Sequence, residues 1–143
     1  MGYTHYWSFD DKIAPEAWQK IMEDAKKLIV ATSVKLLHDY DEPNSHPYVG
    51  EDKIWLNGAG DEGHETFVLT PKPTAFEFCK TAQKPYDLIV CAILAVAHEH
   101  AGISVRSDGD APDWTPALVF ASATLGRAII LPLEVNGGND GAL

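Results

Sequence analysis

The chain has 143 residues, of which 45% are hydrophobic and 22% are charged, a composition that predicts one globular domain and excludes a disordered chain. Its 21 acidic residues outnumber its 11 basic ones and give a formal net charge of -10, which repels long nucleic acids and anionic membranes. The longest apolar run, residues 88–97, is too short to span a bilayer, and no signal-peptide pattern is present. We therefore expect a cytoplasmic protein with neither a membrane nor a long nucleic acid as its partner.

Hydrophobic periodicity divides the chain into strands and helices. Near the N-terminus aromatic and polar side chains alternate with a period of two, whereas apolar residues recur at helical spacing after Pro15, a residue type that often begins a helix. The predicted elements in chain order are a strand at 2–9, a helix at 15–38, a loop at 39–52, strands at 53–57, 65–70 and 76–80, a helix that begins at Pro85 and is capped by Gly102, a strand at 103–107, and a helix capped by Asp113 that runs through Leu125.

The middle of the chain decides the predicted fold class. The three strands there follow one another through short connections, which favours antiparallel pairing. The helix after Pro85 is apolar on nearly every side, so we expect it to be buried, together with Cys79 and Cys91. The prediction is a single α+β domain over residues 1–135, built as a mainly antiparallel sheet of about five strands packed with three helices, followed by a flexible tail at 136–143.

The densest group of polar side chains lies at residues 80–87 (KTAQKPYD), between the fourth strand and the second helix. Backbone N–H groups at a helix start carry partial positive charge. Beside them the ammonium groups of Lys80 and Lys84 and the hydroxyl of Thr81 would suit a phosphate or a carboxylate. The alternative is a solvated loop whose lysines offset an acidic chain.

A second polar group is the turn at residues 107–110 (SDGD), which is followed by Asp113 and Trp114. The carboxylates of Asp108 and Asp110 would bind hydroxyl groups or a divalent cation, although no glutamate closes an EF-hand register. The alternative is an ordinary turn and helix cap, for which Ser, Asp and Gly are the expected residues.

The N-terminal strand carries the third group, Tyr3, His5, Tyr6 and Trp7, on which a planar base would stack. The alternative is a core strand whose polar ring atoms find hydrogen-bond partners. His64, with acidic neighbours in the Gly-rich turn, suits either acid–base chemistry or a flexible hairpin tip.

Three segments together resemble a family of small, uncharacterised phage and bacterial proteins: residues 2–7 (GYTHYW), residues 78–87 (FCKTAQKPYD), and residues 107–110 (SDGD) with Asp113 and Trp114. The resemblance spans most of the chain and carries no established activity. It implies, by analogy with small phage proteins that withhold nucleotide-derived immune signals, an anti-defence protein acting as a sponge in the host cytoplasm.

The leading hypothesis is a binding protein for a small anionic, nucleotide-derived ligand, without catalysis, cofactor or metal, and acting as a homo-oligomer. Lys80, Thr81 and Lys84 would hold phosphate or carboxylate, Tyr3, His5 and Trp7 would contact a ring, and Asp108 and Asp110 would bind hydroxyls. The predicted ligand-binding set is completed by two further aromatic residues, Tyr86 and Trp114.

Two alternatives remain open. The first is a hydrolase or transferase acting on a phosphorylated small molecule, in which Asp108 and Asp110 hold Mg²⁺ or Mn²⁺ and either His5 or His64 is the general base. The second is an acidic protein-interaction module that uses the loop at 39–52 and the Gly-rich turn.

Overall fold

The structure is a computed structural model that describes residues 2–136. Over that range it contains three α-helices, seven strands and one short 3-10 turn at Gly60–Glu62. The elements in chain order are β1 (Thr4–Phe9), α1 (Pro15–Ala31), β2 (Leu36–Leu37), β3 (Tyr48–Val49), β4 (Ile54–Gly58), β5 (Phe67–Leu69), β6 (Thr74–Lys80), α2 (Asp87–Ala101), β7 (Ser104–Ser107) and α3 (Ala111–Leu125).

The strands form two antiparallel sheets, which confirms the α+β prediction. In the first sheet β1 is central and pairs with β6 on one side and β7 on the other. In the second, β4 pairs with β2, β3 and β5. The pairing of β4 with β5 is the hairpin expected around the Gly-rich turn. The strand count is seven rather than about five, because two-residue strands form where the sequence predicts helix and loop.

The core lies where α2 meets the two other helices and the sheets. Every residue of α2 from Ile89 to Ala97 is buried, as its uniform apolarity predicts, and each buried Ile, Leu or Val side chain contributes about 1.5–3 kcal/mol. The ring of Trp7 on β1 lies 5.4 Å from the ring of Phe67 on β5, and this contact joins the two sheets. Cys79 and Cys91 are buried and free, as expected.

Three predicted helix boundaries are wrong. α1 ends at Ala31 rather than near residue 38, because Thr32 is extended and the apolar residues after it pair with β4 as β2. α2 begins at Asp87 rather than Pro85, since the preceding residues form a turn. The N-cap of α3 is Asp110 rather than Asp113. The carboxylate of Asp113 instead accepts the backbone N–H of Asp110 at 2.9 Å, which completes a capping box.

Two ends of helices agree with the sequence. Gly102 and Gly126 close α2 and α3 with φ of 67° and 72°, a conformation that glycine adopts without steric cost. In the described part of the chain, no helix combines the length and apolarity needed to cross a membrane. The tail predicted at 136–143 lies outside the described residues, apart from Asn136, whose carbonyl accepts the N–H of Ala111.

Candidate functional site

His5 is the centre of a buried hydrogen-bonded network, the His5 network, that joins β1, β7, α2 and the segment after β6. Its Nδ1 lies 2.8 Å from Oγ of Ser107, and its Nε2 lies 2.6 Å from Oδ1 of Asp87. The hydroxyl of Thr81 donates to the same Oδ1 at 2.6 Å. The thiol of Cys91 lies 3.4 Å from Nε2 of His5 and 3.6 Å from Oδ2 of Asp87.

Counting protons assigns the tautomer of His5. Oγ of Ser107 accepts the indole N–H of Trp114 at 3.2 Å and the backbone N–H of Gly109 at 2.9 Å. Both lone pairs of that oxygen are then used, so its own proton is donated to Nδ1 of His5. Nδ1 of His5 therefore accepts the serine proton, and Nε2 donates its own proton to Asp87.

The His5 network contains the residue types of a serine hydrolase, but its geometry is that of a closed structural unit. A nucleophile needs a free lone pair and access to substrate, whereas the Ser107 oxygen is fully engaged and His5 is completely buried. Burial also raises the pKa of Cys91 and, to about 12, that of Cys79, so neither cysteine is a thiolate near neutral pH.

The same atoms do not fit a zinc ion while the network stands. His5, Asp87 and Cys91 offer nitrogen, oxygen and sulfur donors close enough to share one ion. Two such ligands on one tetrahedral zinc are about 3.3 Å apart, however, given metal–ligand bonds near 2.0 Å. The Nε2–Oδ1 separation is 2.6 Å and a proton lies between the two atoms, so this pair is a hydrogen bond.

Tyr3 packs against the network without joining it. Its ring meets the ring of His5 edge-on, with centroids 5.2 Å apart, and its buried hydroxyl has no hydrogen-bond partner among the described residues. Burial raises the pKa of this phenol, so it stays protonated. The hydroxyl lies so close to Gly109 that any side chain there would collide with it, which explains the glycine in the SDGD turn.

A second group of polar residues lines an open cleft of about 530 Å³, the Lys84 cleft. Lys84 reaches it from the segment between β6 and α2, whereas Asp61, His64 and Glu65 belong to the Gly-rich turn between β4 and β5. Tyr40 contributes a half-exposed ring from the loop before β3. Two segments that the sequence treats separately, residues 80–87 and the turn around His64, therefore share one surface.

Glu65 holds the two walls of the Lys84 cleft together. Its N–H donates to the carbonyl of Lys80 at 3.2 Å, and its carboxylate accepts the N–H of Lys80 at 2.8 Å. Its carbonyl accepts hydrogen bonds from the hydroxyl of Tyr86 and, at 3.4 Å, from the thiol of Cys79. Two predicted ligand residues, Lys80 and Tyr86, thus hold Glu65 in place by hydrogen bonds and do not line the cleft themselves.

Asn57 fixes the backbone of His64. The buried side chain of Asn57 donates to the His64 carbonyl and accepts the His64 N–H, both at 3.1 Å. This pair of bonds sets the direction in which the imidazole leaves the turn. Neither Asn57 nor Glu65 stands out in the sequence as a framework residue, because both act through backbone atoms that lie close only in the folded chain.

The backbone before Lys84 is strained. Ala82 and Gln83 both have φ of 54°, a left-handed conformation that costs a residue with a side chain about 1–2 kcal/mol. The N–H of Lys84 closes this turn on the carbonyl of Thr81 at 3.0 Å. The strained turn connects the His5 network, through Thr81, to the Lys84 cleft.

The remaining predicted ligand residues lie elsewhere. Trp7 is buried in the core and Asp110 caps α3. Asp108 lies on the solvent side of the first sheet, where it accepts the N–H of Thr4 at 3.0 Å. The side chain of Lys80 is exposed on that same side. The predicted set is thus distributed over the His5 network, the Lys84 cleft, the core and the exposed sheet face.

Sequence reasoning missed most partners of His5. The sequence places Asp87 only within the polar segment at residues 80–87 and Cys91 only in the core, yet both contact the imidazole. Their spacing of four residues places them on one helix face and is the signal that was available. Comparisons with protein-family models, curated proteins and solved structures found no match, so the resemblance to phage and bacterial proteins stays a prediction.

Proposed function

We propose that this chain binds a small anionic ligand of the nucleotide-derived class in the Lys84 cleft and leaves the ligand chemically unchanged. The observation that carries the proposal is the meeting of Lys84 and His64, from two separate segments, in one cleft that Glu65 and Asn57 hold in shape. The cleft's volume of about 530 Å³ is within the range of about 300–1,000 Å³ of small-molecule sites.

Each lining group has a role that suits such a ligand. The ammonium of the half-buried Lys84 would pair with a phosphate or carboxylate, where partial desolvation strengthens the attraction. The exposed ring of Tyr40 would stack on a base, and Asp61 would accept hydrogen bonds from ribose hydroxyls. The two carboxylates in the cleft disfavour a second negative group near them, which restricts where phosphate binds.

Binding without turnover is favoured over hydrolysis by two observations. The Ser107, His5 and Asp87 side chains are occupied with one another. Asp108 and Asp110, which a metal-dependent enzyme would need together, are engaged with separate backbone groups: Asp108 accepts the N–H of Thr4, and Asp110 caps α3.

A protein that binds a signalling molecule tightly and leaves it unchanged lowers the free concentration of that molecule. The role predicted from the resemblance, withholding a host immune signal from its receptor, therefore accords with this site and forms part of the proposal. The sequence analysis also predicts a homo-oligomer. Analytical ultracentrifugation in the presence and absence of ligand tests this prediction by measuring the oligomeric state.

Isothermal titration calorimetry against AMP, ADP, ATP, NAD and a cyclic dinucleotide tests the proposal. We expect one or more of these to bind and Lys84→Ala to weaken binding about tenfold or more, the loss of one charge-assisted contact. Lys26→Ala is the matched control, because Lys26 is exposed on α1 and does not line the cleft. The Lys26→Ala variant should bind nucleotide with the affinity of the native chain.

Failure of every nucleotide to bind to the folded protein would contradict the proposal, as would equal affinities of the two lysine variants. Mass spectrometry of the recovered ligand separates binding from catalysis. A ligand recovered with altered mass would instead support the hydrolase or transferase alternative.

A further inference from the structure

The register of the first sheet arranges the side chains on one side of its three strands in rows, which together form the outer face. In one row Tyr6 on β1 lies between Phe78 on β6 and Arg106 on β7. In the next row the buried Thr4 lies between Lys80 on β6 and Asp108, the residue that follows β7. Phe76, two residues before Phe78, extends the aromatic part of this surface.

The aromatic rings of the outer face are contiguous and open to solvent. Phe76 and Phe78 are 57% and 45% exposed. The centroid of the Phe76 ring lies 5.7 Å from that of Phe78 and 5.9 Å from that of Tyr6. Large apolar side chains grouped in this way on a water-exposed sheet mark a surface that binds something.

Two cationic side chains lie next to these rings, on a chain that is acidic as a whole. Arg106 lies beside Tyr6, and Lys80 lies beside Thr4 on the opposite strand. The carboxylate of Asp108 accepts the N–H of Thr4 and, at 3.3 Å, the hydroxyl of Tyr6, and the carboxylate of Glu65 accepts the backbone N–H of Lys80. Two cations flanking exposed rings on a chain of net charge -10 are complementary to a ligand that has both planar rings and negative charges.

We propose that the outer face binds a short single-stranded oligonucleotide, with bases stacked on Tyr6, Phe76 and Phe78 and phosphates paired with Lys80 and Arg106. Stacking needs only the flat face of a base, so the site tolerates many sequences. The rows measure roughly 13 Å along the strands and 10 Å across them, from strand rise and spacing, and hold about two nucleotides. A long nucleic acid extends beyond the two cations onto acidic surface and is repelled, as the net charge predicts.

Fluorescence anisotropy with fluorescein-labelled hexathymidylate and hexauridylate at low salt tests this proposal. We expect Phe78→Ala and Arg106→Ala each to weaken binding about tenfold, through loss of stacking and of a phosphate contact. Val119→Ala is the matched control, because Val119 is a 63% exposed apolar residue on α3, and its affinity should be unchanged. Phe78 and Arg106 are exposed, so both variants should keep the native melting temperature.

Salt dependence gives a second measurement that needs no variant. Two phosphate contacts on a single strand predict a slope of about -1.4 for the logarithm of the association constant against the logarithm of salt concentration. A slope near zero would overturn the proposal, and so would absence of binding or insensitivity to both substitutions. Self-association of the native chain that Phe78→Ala abolishes, without oligonucleotide binding, would instead identify a protein-binding surface.

This inference stands or falls separately from the Lys84 cleft. Lys84→Ala should leave oligonucleotide affinity unchanged, and Phe78→Ala should leave nucleotide affinity in the cleft unchanged. If one substitution weakens both ligands equally, the two surfaces are one site and the proposal of a second one is wrong.

Discussion

Adjacent residues of β1 serve opposite purposes on the two sides of the first sheet. His5 faces inward, where both of its ring nitrogens have partners and no polar atom of the imidazole meets water. Tyr6 faces outward, where its ring joins Phe76 beside solvent. The difference teaches that burial, rather than residue type, decides whether a polar or aromatic side chain is committed to the fold or available to a ligand.

The inner side gains rigidity from this arrangement. A buried polar group is costly unless each donor has an acceptor, and the His5 network meets that condition by linking β1, β7 and α2. The outer side has no such requirement, because water satisfies its polar groups. Three experiments test how far this contrast extends.

The largest expected effect is on the inner side. His5→Ala should lower the free energy of unfolding by about 3 kcal/mol, because it empties a fully buried position and removes a hydrogen-bond partner from each of the partly buried Asp87 and Ser107 side chains. Tyr6→Ala, one residue along the same strand, should cost about 1 kcal/mol or less. Urea denaturation measures both, and equal costs would refute the contrast between the two sides.

A smaller effect, of opposite sign, is expected at the strained turn. Gln83→Gly should raise the free energy of unfolding by about 1 kcal/mol, because glycine adopts positive φ without steric conflict. The control is Gln19→Gly inside α1, where the same replacement should destabilise by about 1 kcal/mol. If calorimetric unfolding shows both variants destabilised, the turn is not strained in the way that its φ values indicate.

The smallest effect is expected at an ion pair whose solvent exposure is intermediate between that of His5 and that of the outer face. Arg127 binds Glu99 through two hydrogen bonds of 3.1 and 2.6 Å, and this pairing lowers the pKa of Glu99. Because solvent screens the pair, Glu99→Gln should cost less than about 0.5 kcal/mol at neutral pH.

The pH dependence of that cost follows from the direction of the shift. A carboxyl whose pKa is lower in the folded state stabilises the protein above its ordinary value of 4.5, and this contribution disappears as pH falls through the folded-state pKa. The difference in unfolding free energy between native and Glu99→Gln chains should therefore vanish in acid. A difference that persists there would assign the effect to packing rather than to charge.

Much of the framework was predictable because local patterns report local structure. The alternation in residues 2–9 correctly predicts β1, the uniform apolarity after Pro85 predicts the buried α2, and Gly102 and Gly126 mark helix ends. The end of α1 was not predictable, because the apolar residues after Ala31 suit a helix and a strand equally well. Only their pairing with β4 selects the strand.

The candidate sites were predictable in part. The segment at residues 80–87 and the turn around His64 were both recognised as polar, but nothing local relates residues that lie some twenty positions apart. The cleft exists because Glu65 bonds to Lys80, which depends on how the two sheets pack. The outer face likewise needs the register that places Phe78 and Arg106 on either side of Tyr6.

By itself, the sequence determined the α+β class, the buried helix, the acidic surface and the residue types available for binding, because composition and periodicity depend on neighbours along the chain. Tertiary structure alone decided that His5 is enclosed while Tyr6 is open, and that Lys84 meets His64. Those outcomes depend on contacts between residues distant in sequence, whose formation is governed by packing and by the need to satisfy every buried polar group.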